Sequence, residues 1–213
     1  APIDDQLSVI SIQTSQGKPL AVLANFSMHY HGGGGPADYF GLFADRLAKH
    51  LESEGHIPVC AMSQGTSGDL HWMNYGKANK GSNVSRYADG LVELAAQTLE
   101  GIRYQSSPPL AMDQKVITLS RRLPNAERLA WADKLLANMK DRRPKNRPEV
   151  YAEQARFIDE NPTEKLVLQT LRIGDLGITT LPNEVYSITG LKLKARSPFP
   201  ATFNVELANG AAG

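Results

Sequence analysis

Apolar and polar positions along the first third of the chain predict three strands and one helix. Residues 7–12 and 19–26 are rich in aliphatic and β-branched side chains and flank a turn at residues 15–18, which predicts a β-hairpin. From residue 41 to residue 54 the apolar positions recur at helical spacing. Residues 57–62 form a short apolar run typical of a buried strand.

The rest of the chain continues this alternation of helices and strands. The predicted elements are a helix at 86–102, a strand at 115–121, a helical insertion at about 124–160, strands at 165–173 and 178–181, a helix from Asn183 and Glu184 to about 195, and a strand at 203–208. We therefore predict an α/β fold with mixed sheets flanked by helices, in which functional loops follow strand ends.

Composition and charge narrow the classes of function. The chain has 213 residues, 41% hydrophobic and 21% charged, which is enough apolar material for a core. A formal net charge of +1 gives no general attraction to nucleic acid, and the basic run at 140–147 lacks aromatic residues, so we predict a solvated linker there. Because Cys60 is the one cysteine, the chain cannot form an internal disulfide or a cysteine-based zinc site. No apolar run reaches the length of a transmembrane helix.

Two loops contain most of the side chains that could bind a metal or take part in catalysis. His29 and His31 stand two positions apart, so in extended backbone both side chains would leave the same side and could chelate one metal, for which Zn²⁺ is suited. The alternative is a pair of hydrogen-bonding histidines without a metal. Further candidate ligands are Asp38, Asp69, His71 and Glu184.

Several of these residues have a structural interpretation beside the functional one. Residues 63–69, rich in glycine and hydroxyl groups, are either an ordinary turn or a source of backbone N–H groups and a nucleophile. Asp38 either interacts with a helix dipole or orients a histidine. Glu184 is either a carboxylate near a helix start capped by Asn183, or a metal ligand or general base.

Four segments carry motifs of one known family. The strand pair ending in Asn-Phe-Ser-Met-His at 25–29, Pro-Ala-Asp-Tyr-Phe-Gly at 36–41, Gln-Gly-Thr-Ser-Gly-Asp at 64–69 and Pro-Asn-Glu at 182–184 follow each other in the family's order. The segments at 194–199 and 207–210 agree as well. In these motifs the chain resembles the neutral/alkaline, non-lysosomal ceramidases, especially their bacterial relatives.

The resemblance implies a zinc-dependent amidase acting on a small-molecule or lipid amide. By position, His29 would be the second histidine ligand and Glu184 the glutamate ligand. The family's first histidine lies upstream of these segments and its tyrosine ligand downstream of them. The resemblance thus implies that residues 1–213 are part of a larger catalytic domain, completed by further segments of the same parent protein, and that the protein is secreted or periplasmic.

One departure from the family pattern bears on activity. Ceramidases continue Gly-Asp-Val-Ser-Pro, whereas Gly68 and Asp69 are followed here by Leu70, His71 and Trp72, so that His71 stands at the place of the serine. The first hypothesis is a zinc hydrolase with His29, His31 and Glu184 as metal residues and His71 and Asp69 as acid/base or orienting groups. The second is a catalytically inactive binding protein that keeps the fold, and the third is a purely structural metal site with a closed coordination shell.

Overall fold

The computed structural model describes residues 2–32, 35, 37–78, 81, 83–139 and 143–212. The chain divides into two compact units, one made of Ala1–Lys115 with Leu168–Gly213 and the other of Val116–Val167. The predicted helical insertion at 124–160 falls within the range of the second unit. Each unit is described by itself below.

The described residues contain five helices and seven strands. The strands are β1 (Ser8–Gln13), β2 (Pro19–Phe26), β3 (Val59–Gln64), β4 (Leu110–Ser120), β5 (Thr163–Ile173), β6 (Leu176–Thr180) and β7 (Ala201–Val205). The helices are α1 (Asp38–His50), α2 (Val84–Glu100), α3 (Ala126–Leu136), α4 (Arg147–Glu160) and α5 (Ser187–Arg196). In the described ranges, no helix combines the length and the apolar character needed to cross a bilayer.

The first sheet has the order β1-β2-β3 and confirms the predicted hairpin. Strands β1 and β2 are antiparallel, and Gly17 has a φ of 82° in the tight turn between them. Strands β2 and β3 are parallel, with helix α1 as the crossover between them. Because parallel strands end at the same edge of a sheet, the loops after Phe26 and Gln64 leave the sheet side by side.

The second sheet has the order β4-β5-β6-β7. Strands β5 and β6 are antiparallel, while β6 and β7 are parallel and are joined by helix α5. The two mixed sheets with flanking helices confirm the predicted fold class.

The core of the first unit lies between the first sheet and helices α1 and α2. Tyr39, Phe43 and Leu47 of α1 are fully buried. They pack with buried Val22 and Ala24 of β2 and with three residues of α2, Ala88, Leu91 and Ala95. Complete burial of a leucine or phenylalanine side chain stabilises a fold by about 1.5–3 kcal/mol, so this cluster fixes the position of α1 on the sheet.

Helix α1 begins and ends earlier than its apolar periodicity predicts. It starts at Asp38, whose φ is 47°, and ends at His50. The predicted stop, Gly55, lies instead in a turn closed by backbone hydrogen bonds between Ser53 and His56. Glu54 and Gly55 both have positive φ there, so the glycine belongs to this turn and does not end the helix.

Helix α5 begins later than the sequence predicts. Its N-cap is Tyr186, and Ser187 is its first residue. The prediction that Asn183 caps the helix is wrong, because the Asn183 side chain donates a hydrogen bond to the Ala212 carbonyl. Glu184 consequently lies in the loop before the helix. An interaction of its carboxylate with the helix dipole therefore does not explain its position.

The second unit contains α3 and α4, which pack through small side chains. Ala132, Ala152 and Ala155 form its buried cluster. Asn125 and Asn146 cap the two helices by accepting hydrogen bonds from backbone N–H groups in the first turn. Part of the predicted linker at 140–147, residues 140–142, lies outside the described residues.

We predict that Cys60 reacts slowly with thiol reagents. Its side chain packs against the core of the first unit, and burial raises the pKa of the thiol to about 11. At pH 7 the reactive thiolate should be roughly 300 times scarcer than in a cysteine with a pKa near 8.5. The rate of reaction with an aromatic disulfide should rise about tenfold for each pH unit up to near pH 10. A rate that levels off near pH 9 in the folded protein would contradict this, and the same reaction in denaturant provides the fast reference.

Candidate functional site

The two loops that leave the first sheet are joined directly at their bases. The Gly65 N–H donates a hydrogen bond to the Phe26 carbonyl at 2.8 Å. A Cβ atom on Gly65 would lie only 2.3 Å from the Ser27 hydroxyl oxygen, so the close approach requires glycine here. These contacts bring residues 63–69 against the loop after β2 that carries His29 and His31, here called the histidine loop.

The start of helix α1 holds the histidine loop in place. The Asp38 carboxylate accepts hydrogen bonds from the backbone N–H groups of His31 (3.0 Å) and Gly32 (2.9 Å). The hydroxyl of the fully buried Tyr39 donates to the Met28 carbonyl at 2.8 Å. Asp38 thus orients His31 through its backbone N–H group. Of the four-glycine segment, Gly33 and Gly34 lie outside the described residues.

A buried carboxylate, Glu206, connects residues 63–69 to the loop before α5. Glu206 follows β7 and is only 3% exposed. Its Oε1 accepts from the Ser67 hydroxyl (2.5 Å) and the Gln64 amide (3.0 Å), and its Oε2 accepts from the N–H groups of Ser67 and Val185 (both 3.1 Å). Burial raises the pKa of Glu206, while these four hydrogen bonds oppose that rise.

Further contacts fix the loop before α5 against residues 63–69. The Gly68 N–H donates to the Val185 carbonyl at 2.9 Å, and a Cβ on Gly68 would lie 2.8 Å from the Glu184 carbonyl oxygen. The Asp69 carboxylate accepts a hydrogen bond from the Ser187 N–H at 2.7 Å. Asp69 therefore accepts a hydrogen bond from a backbone N–H group in the first turn of α5, which has no partner within the helix. The sequence did not suggest this structural role.

These contacts place Glu184 beside His29. The distance between Glu184 Oε1 and His29 Nδ1 is 3.4 Å, with side chains 51% and 29% exposed. Two ligand atoms about 2.1 Å from a tetrahedral zinc ion lie roughly 3.4 Å apart, so the separation fits a shared metal. Within the described ranges, no group of three or more His, Cys, Asp or Glu side chains is arranged to hold an ion. His29 and Glu184 are two groups, whereas a tetrahedral zinc site uses four ligands.

His31 lies in a different environment from His29. Its ring is 5.5 Å from the Trp72 ring at an interplanar angle of 24° and 4.6 Å from the Tyr87 ring, measured between centroids. Both of its ring nitrogens are buried and have no hydrogen-bond partner among the described residues. Burial lowers the pKa of His31, the Asp38 charge opposes this, and His71 lowers it further. The role of His31 as a third ligand stays a prediction.

His71 is exposed and lies beside aromatic rings. Its Nδ1 accepts a hydrogen bond from the Met73 N–H at 3.2 Å. Its ring centroid is 5.4 Å from that of Trp72 and 6.0 Å from that of Tyr75. The proposed acid/base roles of His71 and Asp69 stay predictions.

The sequence did not single out Glu206. A lone glutamate after a strand belongs to no motif, and its partners, Gln64, Ser67 and Val185, are distant in sequence. The available signal is a charged residue two positions after the buried strand residues Phe203 and Asn204.

Comparison with known proteins identifies the fold. No protein-family model and no curated protein match the sequence. Among solved structures, neutral ceramidase from Pseudomonas aeruginosa matches with a TM-score of 0.68 and 15% identity, over 99% of this chain and 40% of that one. A ceramidase complexed with C2 matches with a TM-score of 0.67 and 14% identity, over 99% of this chain and 42% of the other. The chain thus has a ceramidase-like fold and spans about two fifths of these structures.

We predict that Glu206→Ala strongly destabilises the first unit. The change would leave the Ser67 and Val185 N–H groups without an acceptor in a buried setting, which should cost roughly 3 kcal/mol of the free energy of unfolding. Denaturant unfolding of the variant and the parent measures this difference.

Two further variants make this stability measurement specific. Glu206→Gln keeps one acceptor oxygen and should cost less than Glu206→Ala. Glu93→Ala, an exposed position on α2, should change the stability by less than about 0.5 kcal/mol. Equal stabilities of Glu206→Ala and Glu93→Ala would show that the buried carboxylate does not hold the loops.

Proposed function

We propose that this chain is part of a zinc-dependent hydrolase that cleaves an amide, such as a ceramide-like N-acyl bond, or a related acyl bond. The observation that carries the proposal is the 3.4 Å approach of His29 and Glu184, two residues from opposite ends of the chain. Both are the residues that the family resemblance assigns to the metal. The ceramidase-like fold supports the same assignment.

In this proposal His29 and Glu184 would hold the ion. Zinc in such a site polarises a carbonyl group and lowers the pKa of a bound water. The two remaining ligands would come from further segments of the parent protein, in keeping with a chain that covers 40% of the neutral ceramidase structure. We propose a secreted or periplasmic location on the same resemblance.

The neighbouring residues have separate tasks in this proposal. The Nε2 atom of exposed His71 makes no hydrogen bond with the described residues, so it is open to exchange a proton with a substrate or its leaving group. Asp69 would act by position, because its carboxylate holds the start of α5 and thereby the loop with Glu184. His31 would line the site or complete the ligand set.

A second candidate function is binding without catalysis. It is favoured by the residue at the serine position of ceramidases, which is His71, and by the hydrogen bond that already engages the Asp69 carboxylate. A protein of this kind would keep the fold and the pocket and would bind the amide without cleaving it. The two candidates differ in turnover, which can be measured directly.

We predict that His29→Ala and Glu184→Ala each weaken Zn²⁺ binding at least tenfold, since each removes one ligand and changes to outer-shell groups alone cost about 10–100-fold. Competition with a zinc-sensitive dye measures the affinity. His50→Ala is the matched control, because His50 is an exposed histidine in the last turn of α1.

The same titration decides the ligand assignment. Unchanged zinc affinity in both His29→Ala and Glu184→Ala would refute it. An equal loss in His50→Ala would show that zinc binds to surface histidines in general and would also refute it.

We predict that the protein at its natural length hydrolyses members of a panel of N-acyl amides and esters and loses this activity with a chelator. Added Zn²⁺ should restore the rate. His71→Ala should lower kcat by about 10²–10⁴ if His71 transfers protons. Binding of an amide without turnover, with or without zinc, would instead support the binding protein.

A further inference from the structure

A cavity of about 410 Å³ lies in the second unit, between the segment that leads into helix α3 and one face of helix α4. Its volume is within the range of small-molecule sites, which span roughly 300–1,000 Å³. One wall consists of residues 122–125 and Arg128, and the other of Tyr151, Gln154, Ala155 and Ile158. The residues of the proposed metal site all belong to the first unit, so this cavity is independent of the proposed hydrolysis.

The lining of the cavity carries two positive charges and no negative one. Arg122 and Arg128 both line it, and no aspartate or glutamate does. Both arginines are exposed, and neither forms an ion pair with a described residue. In the same unit, Arg121 and Arg156 do form ion pairs with carboxylates. Among the described residues, the two arginines of the cavity therefore keep their charges available for an anion from solution.

Arg128 is held in position by an aromatic ring. Its guanidinium carbon lies 3.9 Å from the centroid of the Trp131 ring, which is a cation–π contact. Such a contact occupies one face of the planar guanidinium and leaves the N–H groups at its edge able to donate hydrogen bonds. A side chain that is already ordered loses less conformational entropy when it binds an anion than a freely rotating one does.

The rest of the lining is uncharged and has a polar part and an apolar part. The polar part supplies amide and hydroxyl groups, which can donate hydrogen bonds to phosphate oxygen atoms, and consists of Asn125, Tyr151 and Gln154. The apolar part is aliphatic and consists of Leu123, Pro124, Ala155 and Ile158. A ligand that matches both parts carries an anionic group and a small apolar group.

Two guanidinium groups match an anion with two charges. A phosphate monoester carries between about 1.5 and 2 negative charges at pH 7. Its oxygen atoms accept paired hydrogen bonds from the fork of a guanidinium group. A carboxylate or a phosphate diester carries a single charge and would balance only one of the two arginines.

We propose that this cavity binds a small organic phosphate monoester. The phosphate group pairs with Arg122 and Arg128, and the organic group contacts the aliphatic lining. The same phosphate group occurs in soluble compounds and in lipids with a terminal phosphate, so the experiments below include one arm for each source.

Isothermal titration of the protein with phenyl phosphate tests the proposal. For a ligand of this size we expect a Kd on the order of 0.3 mM, which should weaken as the salt concentration rises. Inorganic phosphate lacks the apolar group and phenyl sulfate carries one charge, so each should bind about fivefold more weakly or less tightly still. No detectable binding of phenyl phosphate, or equal binding of phenyl sulfate, would overturn the proposal.

Variants locate the binding in this cavity. Arg122→Gln and Arg128→Gln should each weaken the binding of phenyl phosphate about tenfold and reduce its preference over phenyl sulfate, because each removes a charge-assisted contact. Arg103→Gln is the matched control, since Arg103 is an exposed arginine of the first unit. Equal weakening in all three variants would indicate a general attraction of anions and would overturn the assignment. Unchanged binding in both cavity variants would overturn it as well.

Vesicles distinguish the two sources of the phosphate group. The protein is sedimented with phosphatidylcholine vesicles that contain or lack phosphatidate. Retention that requires phosphatidate, is reversed by phenyl phosphate and is lost in Arg122→Gln would assign the cavity to a lipid with a terminal phosphate. Binding of phenyl phosphate without such retention would assign it to a soluble monoester.

Discussion

The site depends on one buried carboxylate and the four hydrogen bonds that it accepts. Burying the charge of Glu206 is costly, and the cost is offset only because Gln64, Ser67 and Val185 present their donors to it. These donors come from two segments that are far apart in sequence. The carboxylate thereby fixes the loop before α5 against residues 63–69, and Glu184 reaches His29 as a consequence.

The opposite side of the site is held by a second buried carboxylate. Asp38 is 3% exposed and binds the backbone of the histidine loop, and the Tyr39 hydroxyl binds the same loop at Met28, the residue before His29. Asp38 binds backbone N–H groups, and Glu206 binds backbone N–H groups together with the side chains of Gln64 and Ser67. In this way, His31, Gly32 and residues 64–67 are held by carboxylates in the protein interior.

The periodicity of the sequence predicted the elements but not the contacts between loops. Strand β2 has the predicted bounds and the hairpin and crossover follow from it, since both depend on local apolar pattern. We predicted that His29 and His31 point to the same side of extended backbone. Strand β2 ends at Phe26, and the alternation of a strand need not continue into the loop that follows it. Glu206 could not be found from local sequence, since the partners of its buried carboxylate come from two distant segments. The pairing of His29 with Glu184 was implied by family resemblance and not by spacing.

The arrangement of the loops also bears on how tightly a metal could be held. Because Asp38 and Glu206 already order the two loops, binding of an ion would not have to pay for ordering them. In the proposed site, the affinity of this chain for zinc would be limited by the number of ligands, since His29 and Glu184 would supply two of four positions. Additional ligands from other segments of a parent protein would add to a preformed half-site. Each would bind beside loops that Asp38 and Glu206 already order, which lowers the entropic cost of assembling the site.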